Sequence, residues 1–302
     1  MLVVMFVVAT VAFVIVRVVP GDPAAIMLGP DATAADVASL RARLGLDASL
    51  PVQYAIYLGQ LVSGDLGHSI FLDRPVLQAI YERAEPTTLL TLMAIIVAVL
   101  IGAPAGIAAA VFHGRSIDQV TLTLAMLGAS IPSFWLGLIF IQKFSVGLGW
   151  FPVSGYGPPG AGLLERMHHL VLPALVLGLI NSSLIARFAR GSMLDVLGED
   201  YIRTGRAKGL SERKVVLKHG LRNALIPILT VIGLTMALLV GGAVVTETVF
   251  GLPGVGNLVV SAVLRRDYPV IQGALIVIAA IYVLINLAID LLYLLVDPRV
   301  RY

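Results

Sequence analysis

Long stretches of this chain carry apolar residues with no charge among them. Six such runs stand out: Met1–Val16, Leu89–Phe112, Val120–Gln142, Leu170–Ala186, Ala224–Thr246 and Pro269–Ile289. A helix that crosses the hydrocarbon of a bilayer needs about 20 mainly apolar residues, with roughly 17–25 as the working range. The first run reaches that length by adding Arg17 and Val18, with the arginine snorkelling. The fourth lies at the short end. In lipid, backbone polar groups must be satisfied within each helix. The pattern predicts an all-α integral membrane protein with six transmembrane helices.

Composition agrees. The 302 residues are 58% hydrophobic and 13% charged, with mean hydropathy +0.95. A soluble domain carries about 25% charged residues, so much of this surface faces something other than water. The net charge of +3 reflects basic loops and gives no reason to expect nucleic-acid binding. The absence of cysteine excludes disulfides and thiolate chemistry. A signal peptide is a poor reading of the first run, which shows no basic n-region and continues directly into "RVVPGDP".

Short loops carry the positive-inside signal. Between the fourth and fifth runs lie Arg187, Arg190, Arg203, Arg206, Lys208, Arg213, Lys214, Lys218 and Arg222, nine of the 21 basic residues. Arg115 follows the second run, and Arg299 and Arg301 lie in the tail. With six spans these regions share one side. That side is expected to be the cytoplasm of a bacterial cell, bounded by its inner membrane, with both termini there.

The chain therefore divides into a first span (1–19), an external helical loop (20–86) and a five-helix core (87–302). In the external loop "DATAADVASLRARLGL" and "PVQYAIYLGQLV" have helical spacing, and "SGDLGHSI" and "DRPV" read as turns. Pro104, Pro132, Pro173 and Pro227 fall inside spans and predict kinks. Gly102 and Gly106, and the Gly241–Gly242 pair, suit close helix packing. "WFPVSGYGPPGAG" and "GLPGVGN" read as turn-rich external loops.

The segment 188–223 does not match its apolar surroundings. Ser192 is placed to cap a helix through "MLDVLGEDYIRTGRAK", with Leu194, Leu197, Tyr201 and Thr204 on one face. Gly209 follows Lys208 as a C′ glycine. Ser211 and Glu212 then suit the start of a second helix, which continues toward the fifth span. A solvated basic loop needs no such punctuation. Helix, sharp turn, helix is a shape fit for a partner's groove.

"RTGRAKGL" followed by "HGLRNALIP" resembles the EAA-type cytoplasmic loop of permease subunits of ABC importers. The remainder resembles the dipeptide/oligopeptide branch in its B-type form. "PGDP", "LPVQY", "GDLGHS", "SIPSFWLG", "LGWFPVSGY", "TETVFGLPGVG", "RRDYP" and "DPRVRY" occur in order over the whole chain. One departure is Gly205, where members of the family usually show alanine.

The resemblance implies a type I ABC importer permease fold. It implies a partnership with a second homologous permease, two cytoplasmic ATPase domains and an external substrate-binding protein. ATP and Mg would then be held by the ATPases and no cofactor by this chain. The matching coupling residues are Arg203, Thr204, Ala207, Lys208, Gly209 and Leu210, with Ser211 and Glu212 just beyond. The expected cargo is peptides or related small solutes.

Two other classes compete. An ion-coupled secondary transporter places ionisable groups near the bilayer midplane. Here the charges near the runs, Arg17, Lys143 and Asp290, lie toward their ends. An intramembrane enzyme lacks its motifs: there is no H-E-x-x-H, G-x-S-x-G or G-x-x-x-x-G-K-[ST]. His168 and His169 read as interfacial. The neutral groups Ser130, Ser133, Asn181, Ser182, Ser183 and Thr235 are candidates to line a pathway, or else bond between helices.

Overall fold

The computed structural model describes residues 2–18, 21–29, 31–43 and 45–296. The first apolar run forms helix α1 (Leu2–Val18). Three short helices follow: α2 (Pro23–Leu28), α3 (Ala34–Arg43) and α4 (Leu50–Val62). The Asp22 side chain caps α2 through the Ala24 N–H, with proline in the first turn. Thr33 and Asp36 cap α3 reciprocally: Asp36 N–H donates to Thr33 Oγ1, and the Thr33 N–H donates to Asp36 Oδ2. Both helices anticipated for this loop are present. The "GDLGHS" and "DRPV" turns hold a two-residue antiparallel ladder, β1 (His68–Ser69) with β2 (Arg74–Pro75).

Helix α5 (Val76–Val111) carries the second run. α6 (Ser116–Ser130) and α7 (Ser133–Phe140) carry the third, and α7 passes into a π-turn at Ile141–Gly147. α8 (Leu163–Leu197) carries the fourth, followed by α9 (Asp200–Ala207) and α10 (Glu212–Lys214). A second π-turn, Val215–Gly220, leads into α11 (Leu221–Val249). α12 (Val255–Arg265) and α13 (Tyr268–Val296) complete the chain.

Among the described residues, four helical stretches are long and apolar enough to span a bilayer: Val76–Val111, Leu163–Leu197, Glu212–Val249 and Tyr268–Leu292. The third run is not one straight helix, as its composition suggested. Ser116–Ser130 and Ser133–Gly147 meet at 98°. Ile131 is extended (φ −82°, ψ 124°), and Pro132 after it has no N–H to continue the ladder. Counted as one broken span, this pair is the fifth. The sixth expected span, α1, is a shorter apolar helix of 17 residues and is not among these five. Pro104, Pro173 and Pro227 lie inside continuous helices.

Packing divides the chain into two units, Met1–Glu85 with Pro253–Val283, and Pro86–Leu252 with Leu284–Tyr302. The core of the first gathers Val76, Ala79 and Ile80 of α5 with Val255, Leu258 and Ala262 of α12 and with Val270 and Ala274 of α13. The "GLPGVGN" loop is thus short: Val255 already begins a helix that buries one face. In this unit Ser69 Oγ donates to Asp267 Oδ2 at 2.5 Å, so the ladder is tied to the "RRDYP" turn. Arg266 there is left-handed (φ 58°).

The second unit is centred on α8, against which α11, α6 and α7 pack. Its core joins Leu90, Ala94 and Ala98 of α5 to Leu170, Val176 and Ile185 of α8 and to Val231 and Leu239 of α11. Gly102 and Gly106 explain how α5 and α8 approach so closely. A Cβ on Gly102 would lie 2.5 Å from the Ser182 carbonyl oxygen, and one on Gly106 would collide with that of Ala186. Gly241 and Gly242 are different: nothing among the described residues lies within 4 Å of a Cβ placed there.

Candidate functional site

The candidate coupling segment begins where α8 ends. α8 runs unbroken to Leu197, so Ser192 lies within it and is not an N-cap. The apolar stripe Ala186, Ala189, Met193 continues through that point fully packed, and this packing outweighs the capping preference of a serine. The break comes at Gly198, and Glu199, in extended conformation, starts α9. The face expected to run from Leu194 to Thr204 is therefore divided between two helices.

At the other end of α9 the local signals act as the sequence indicated. Lys208 closes the helix and Gly209 adopts φ +79°. The Gly209 N–H donates to Arg206 O at 2.9 Å and the Leu210 N–H to Gly205 O at 3.2 Å. These two bonds satisfy carbonyls that the helix end leaves open. Ser211 stands at the N-cap of α10 with extended backbone but makes no side-chain capping bond. Arg206 grips Glu212 across the turn, Nε to Oε1 at 2.7 Å and Nη2 to Oε2 at 3.3 Å. This bidentate pair bridges the two helices across the turn, although at the exposed surface such a pair contributes only about 0–1 kcal/mol.

The turn projects from a buried foundation. Ile202, Val215 and Val216 are buried, and Val216 joins Ala189, Met193, Ala224 and Ile228 in a small core. Asn223 Nδ2 donates to Tyr201 Oη at 2.7 Å and to His219 O at 3.1 Å. By contrast Arg203, Thr204, Ala207, Lys208, Gly209, Leu210, Ser211 and Glu212 are all exposed. All eight sequence candidates lie together on one knuckle. Below it the chain continues without interruption as Glu212–Val249.

The six neutral candidates do not gather at one point. Ser130 and Ser133 flank the bend between α6 and α7. Asn181, Ser182 and Thr235 bond back to carbonyls of their own helices, to Leu177 O, Leu179 O and Val231 O. Ser182 and Ser183 line an apolar groove of about 460 Å³ together with Gly102, Leu124, Gly128 and Leu136. His168 and His169 bond to the carbonyls of Trp150 and Gly155. No group of His, Cys, Asp or Glu among the described residues is arranged to hold a metal ion.

Three buried acids escaped the sequence reading: Glu247, Asp118 and Asp267, the last bonded to Ser69. Glu247 in α11 is fully buried and accepts from Thr87 Oγ1 at 2.5 Å. The charges near the spans therefore include more than Arg17, Lys143 and Asp290. Its signal was an acid immediately after the charge-free run, within "TETVFG". Asp118, at the start of α6, is buried against Arg190 of α8. No local pattern links positions so far apart in sequence.

The chain also resembles known proteins. Residues 102–302 match the family described as "Binding-protein-dependent transport system inner membrane component", and residues 1–100 match the N-terminal segment of such membrane components. The probable peptide ABC transporter permease protein y4tP of Sinorhizobium fredii is 45% identical over 299 residues, 99% of this chain and 96% of that protein. The glutathione transport system permease protein GsiC of Salmonella choleraesuis is 47% identical over 298 residues, 99% of this chain and 95% of that protein. An inward-facing structure of the MetNI methionine ABC transporter superposes with a TM-score of 0.60 at 19% identity, covering 73% of this chain and 97% of that one. That likeness shows the fold. An exposed knuckle rooted in two long apolar helices, and relatives of this identity along the full length, lead to one conclusion: the chain belongs to the binding-protein-dependent transport system inner membrane components, as a multi-pass permease subunit of an ABC importer that works with ATPase and binding-protein partners.

Proposed function

We propose that this permease imports peptides or closely related small solutes, and that the knuckle at Gly209 couples it to ATP hydrolysis. The working unit is this chain, a second homologous permease, two cytoplasmic ATPase domains and an external binding protein. ATP and Mg are held by the ATPases. Both termini and the knuckle face the cytoplasm, and the segment 20–86 faces outward. The names of the relatives support the cargo class, since they are described as permeases for peptide and for glutathione, itself a small peptide.

The observation that carries the coupling reading is the knuckle's construction. Eight exposed residues ride on the buried Ile202 and Val215, the left-handed Gly209 with its backbone bonds sets the turn, and the Arg206–Glu212 pair bridges it. A loop that only satisfied topology would need none of this. ATP-driven closure of the ATPases would push on α9 and α10, and the continuous helix Glu212–Val249 would carry the push into the membrane.

The test is Gly209→Val, compared with Gly162→Val. Both glycines have open space around a Cβ, but only Gly209 has positive φ, which a β-branched residue strongly disfavours. The local strain should be on the order of 1–3 kcal/mol. Expected for Gly209→Val are normal membrane abundance, weaker ATPase co-purification and lost uptake, with Gly162→Val near wild type. Normal uptake by Gly209→Val at normal abundance refutes the coupling role.

A further inference from the structure

A cavity of about 530 Å³ opens in the first unit, walled by α1, α4, the segment around His68 and the start of α13. Its chemistry is unlike that of a packing gap. Arg17, at the end of α1, reaches into its wall. Nε and Nη2 of Arg17 donate to Gln53 Oε1 at 3.2 and 2.8 Å, and Nη1 donates to Phe13 O at 3.1 Å. The guanidinium also sits 3.5 Å over the Phe13 ring. Gln53 is itself fixed, donating through Nε2 to Leu46 O and Ala48 O at 3.1 and 2.8 Å.

Every one of these partners is neutral. A half-buried guanidinium balanced only by amide and carbonyl oxygens and an aromatic face retains an uncompensated charge, which is costly away from water. It also retains donors, since a guanidinium has five N–H groups. Arg43 and His68 line the same cavity. Tyr57 lines it too, and its Oη is buried without a hydrogen-bond partner among the described residues. Its phenol is held protonated, pushed up to about 12 chiefly by burial, so it stands as a donor. Asp65 is the one acidic side chain of the lining among the described residues and accepts from the Gly67 N–H at 2.8 Å; against its single negative charge stand two guanidinium groups, so positive charge is in excess.

We propose that this cavity is a binding site for an anionic oxygen group, a carboxylate or a phosphate, received by Arg17, Arg43 and the Tyr57 hydroxyl. The cavity is within the usual size of small-molecule sites, roughly 300–1,000 Å³. Arg17 closes an apolar helix, and Pro269 and Gln272, at the start of a span, line the same cavity. The site therefore lies where span ends meet the polar interface. Both a free solute and an anionic lipid headgroup can present the group there.

The experiment uses the full-length chain in nanodiscs and reads hydrogen-exchange protection across residues 50–70. In discs of phosphatidylcholine alone, succinate and inorganic phosphate are titrated separately. In a second arm, phosphatidylglycerol replaces part of the lipid, with no soluble anion added. Saturable protection by either soluble anion assigns a free solute. Protection only with phosphatidylglycerol assigns a headgroup. In either case Arg43→Gln should weaken the response about tenfold, as expected for the loss of one charge-assisted hydrogen bond. Arg17→Gln should abolish it. Arg43 is exposed and, among the described residues, has no hydrogen bond or ion pair that its loss would break, so that variant decides the matter even if Arg17→Gln misfolds. No saturable protection in either arm, or equal protection in wild type and Arg43→Gln, overturns the site. Transport is not measured, so the outcome is independent of the cargo and coupling readings above.

Discussion

Arg190 donates to Asp118 with two nitrogens, Nε to Oδ1 at 2.5 Å and Nη2 to Oδ2 at 2.9 Å. The Gly114 N–H and the His113 ring meet the same carboxylate at 2.9 and 3.0 Å. The loop that joins α5 to α6 is thus fastened to α8 about two turns before that helix ends at Leu197. Removing one member of a buried pair leaves the other unbalanced. Asp118→Ala should lower the thermal midpoint by several degrees, and Asp118→Ala with Arg190→Leu should be less destabilised than the sum of the two single changes. Additive effects in this double-mutant cycle would show that the pair is not coupled.

The close approach of α5 to α8 depends on glycine. Gly102→Val would drive its Cβ against the Ser182 carbonyl oxygen, 2.5 Å away, a backbone atom with no room to yield. Overpacking of this kind costs about 1–3 kcal/mol or more. Folded yield, judged by size-exclusion of a fluorescent fusion, should fall sharply. Gly241→Ala, with open space around it, should leave the yield of the isolated chain unchanged.

Gly205 offers a change in the opposite direction. A Cβ there meets only Leu210 Cδ1, at the ordinary distance of 3.5 Å. Glycine costs a helix up to about 1 kcal/mol relative to alanine. Gly205→Ala should therefore slow hydrogen exchange in α9 up to about fivefold, with no change elsewhere. Faster exchange would mean that the contact with Leu210 is unfavourable.

The Asp267 carboxyl should give the first unit a pH response. It is buried, and burial raises its pKa above the ordinary value, partly offset by bonds from Ser69 and the backbone N–H groups of Val270 and Phe71. A folded pKa above the unfolded one means that the folded state holds its proton longer. The associated stability is fully present below the unfolded value and is lost as pH rises through the folded one. Exchange protection around residues 66–76 should thus increase from pH 7 toward pH 4. In Asp267→Asn, which cannot ionise, this increase should vanish. An identical pH profile in both proteins would assign the effect to another group.

Orientation is open to a direct test, because the chain has no cysteine. Ser39 and Ser211 are both exposed. An impermeant thiol reagent applied to intact cells should label Ser39→Cys, and should label Ser211→Cys only after permeabilisation. The reverse pattern would invert the proposed topology.

What the sequence made legible was mostly local. The Lys208–Gly209 end of α9 could be read because a cation and a glycine in that order terminate a helix by their own conformational preferences. The long apolar helices could be read because lipid imposes a single requirement on each residue in turn. Ser192 misled because capping preference is weak beside the packing of Ala189 and Met193. Pro132 was visible as a kink, yet nothing local sets its size. The Asp118–Arg190 and Thr87–Glu247 pairs join positions 72 and 160 residues apart, and each member alone resembles an ordinary loop charge or helix-end residue.

The unbroken course of α8 makes it a lever. With 35 residues at 1.5 Å each it is about 52 Å long, and it ends one residue before the cap of α9. Because no loop interrupts it, rotation at one end is not absorbed along the way. A tilt of about 5° about its far end would sweep the knuckle through about 4–5 Å, by the helical rise alone. If the proposed coupling holds, the short Gly198–Glu199 link is the wrist of that arm, where an angular movement of the membrane helices becomes a linear stroke at Gly209.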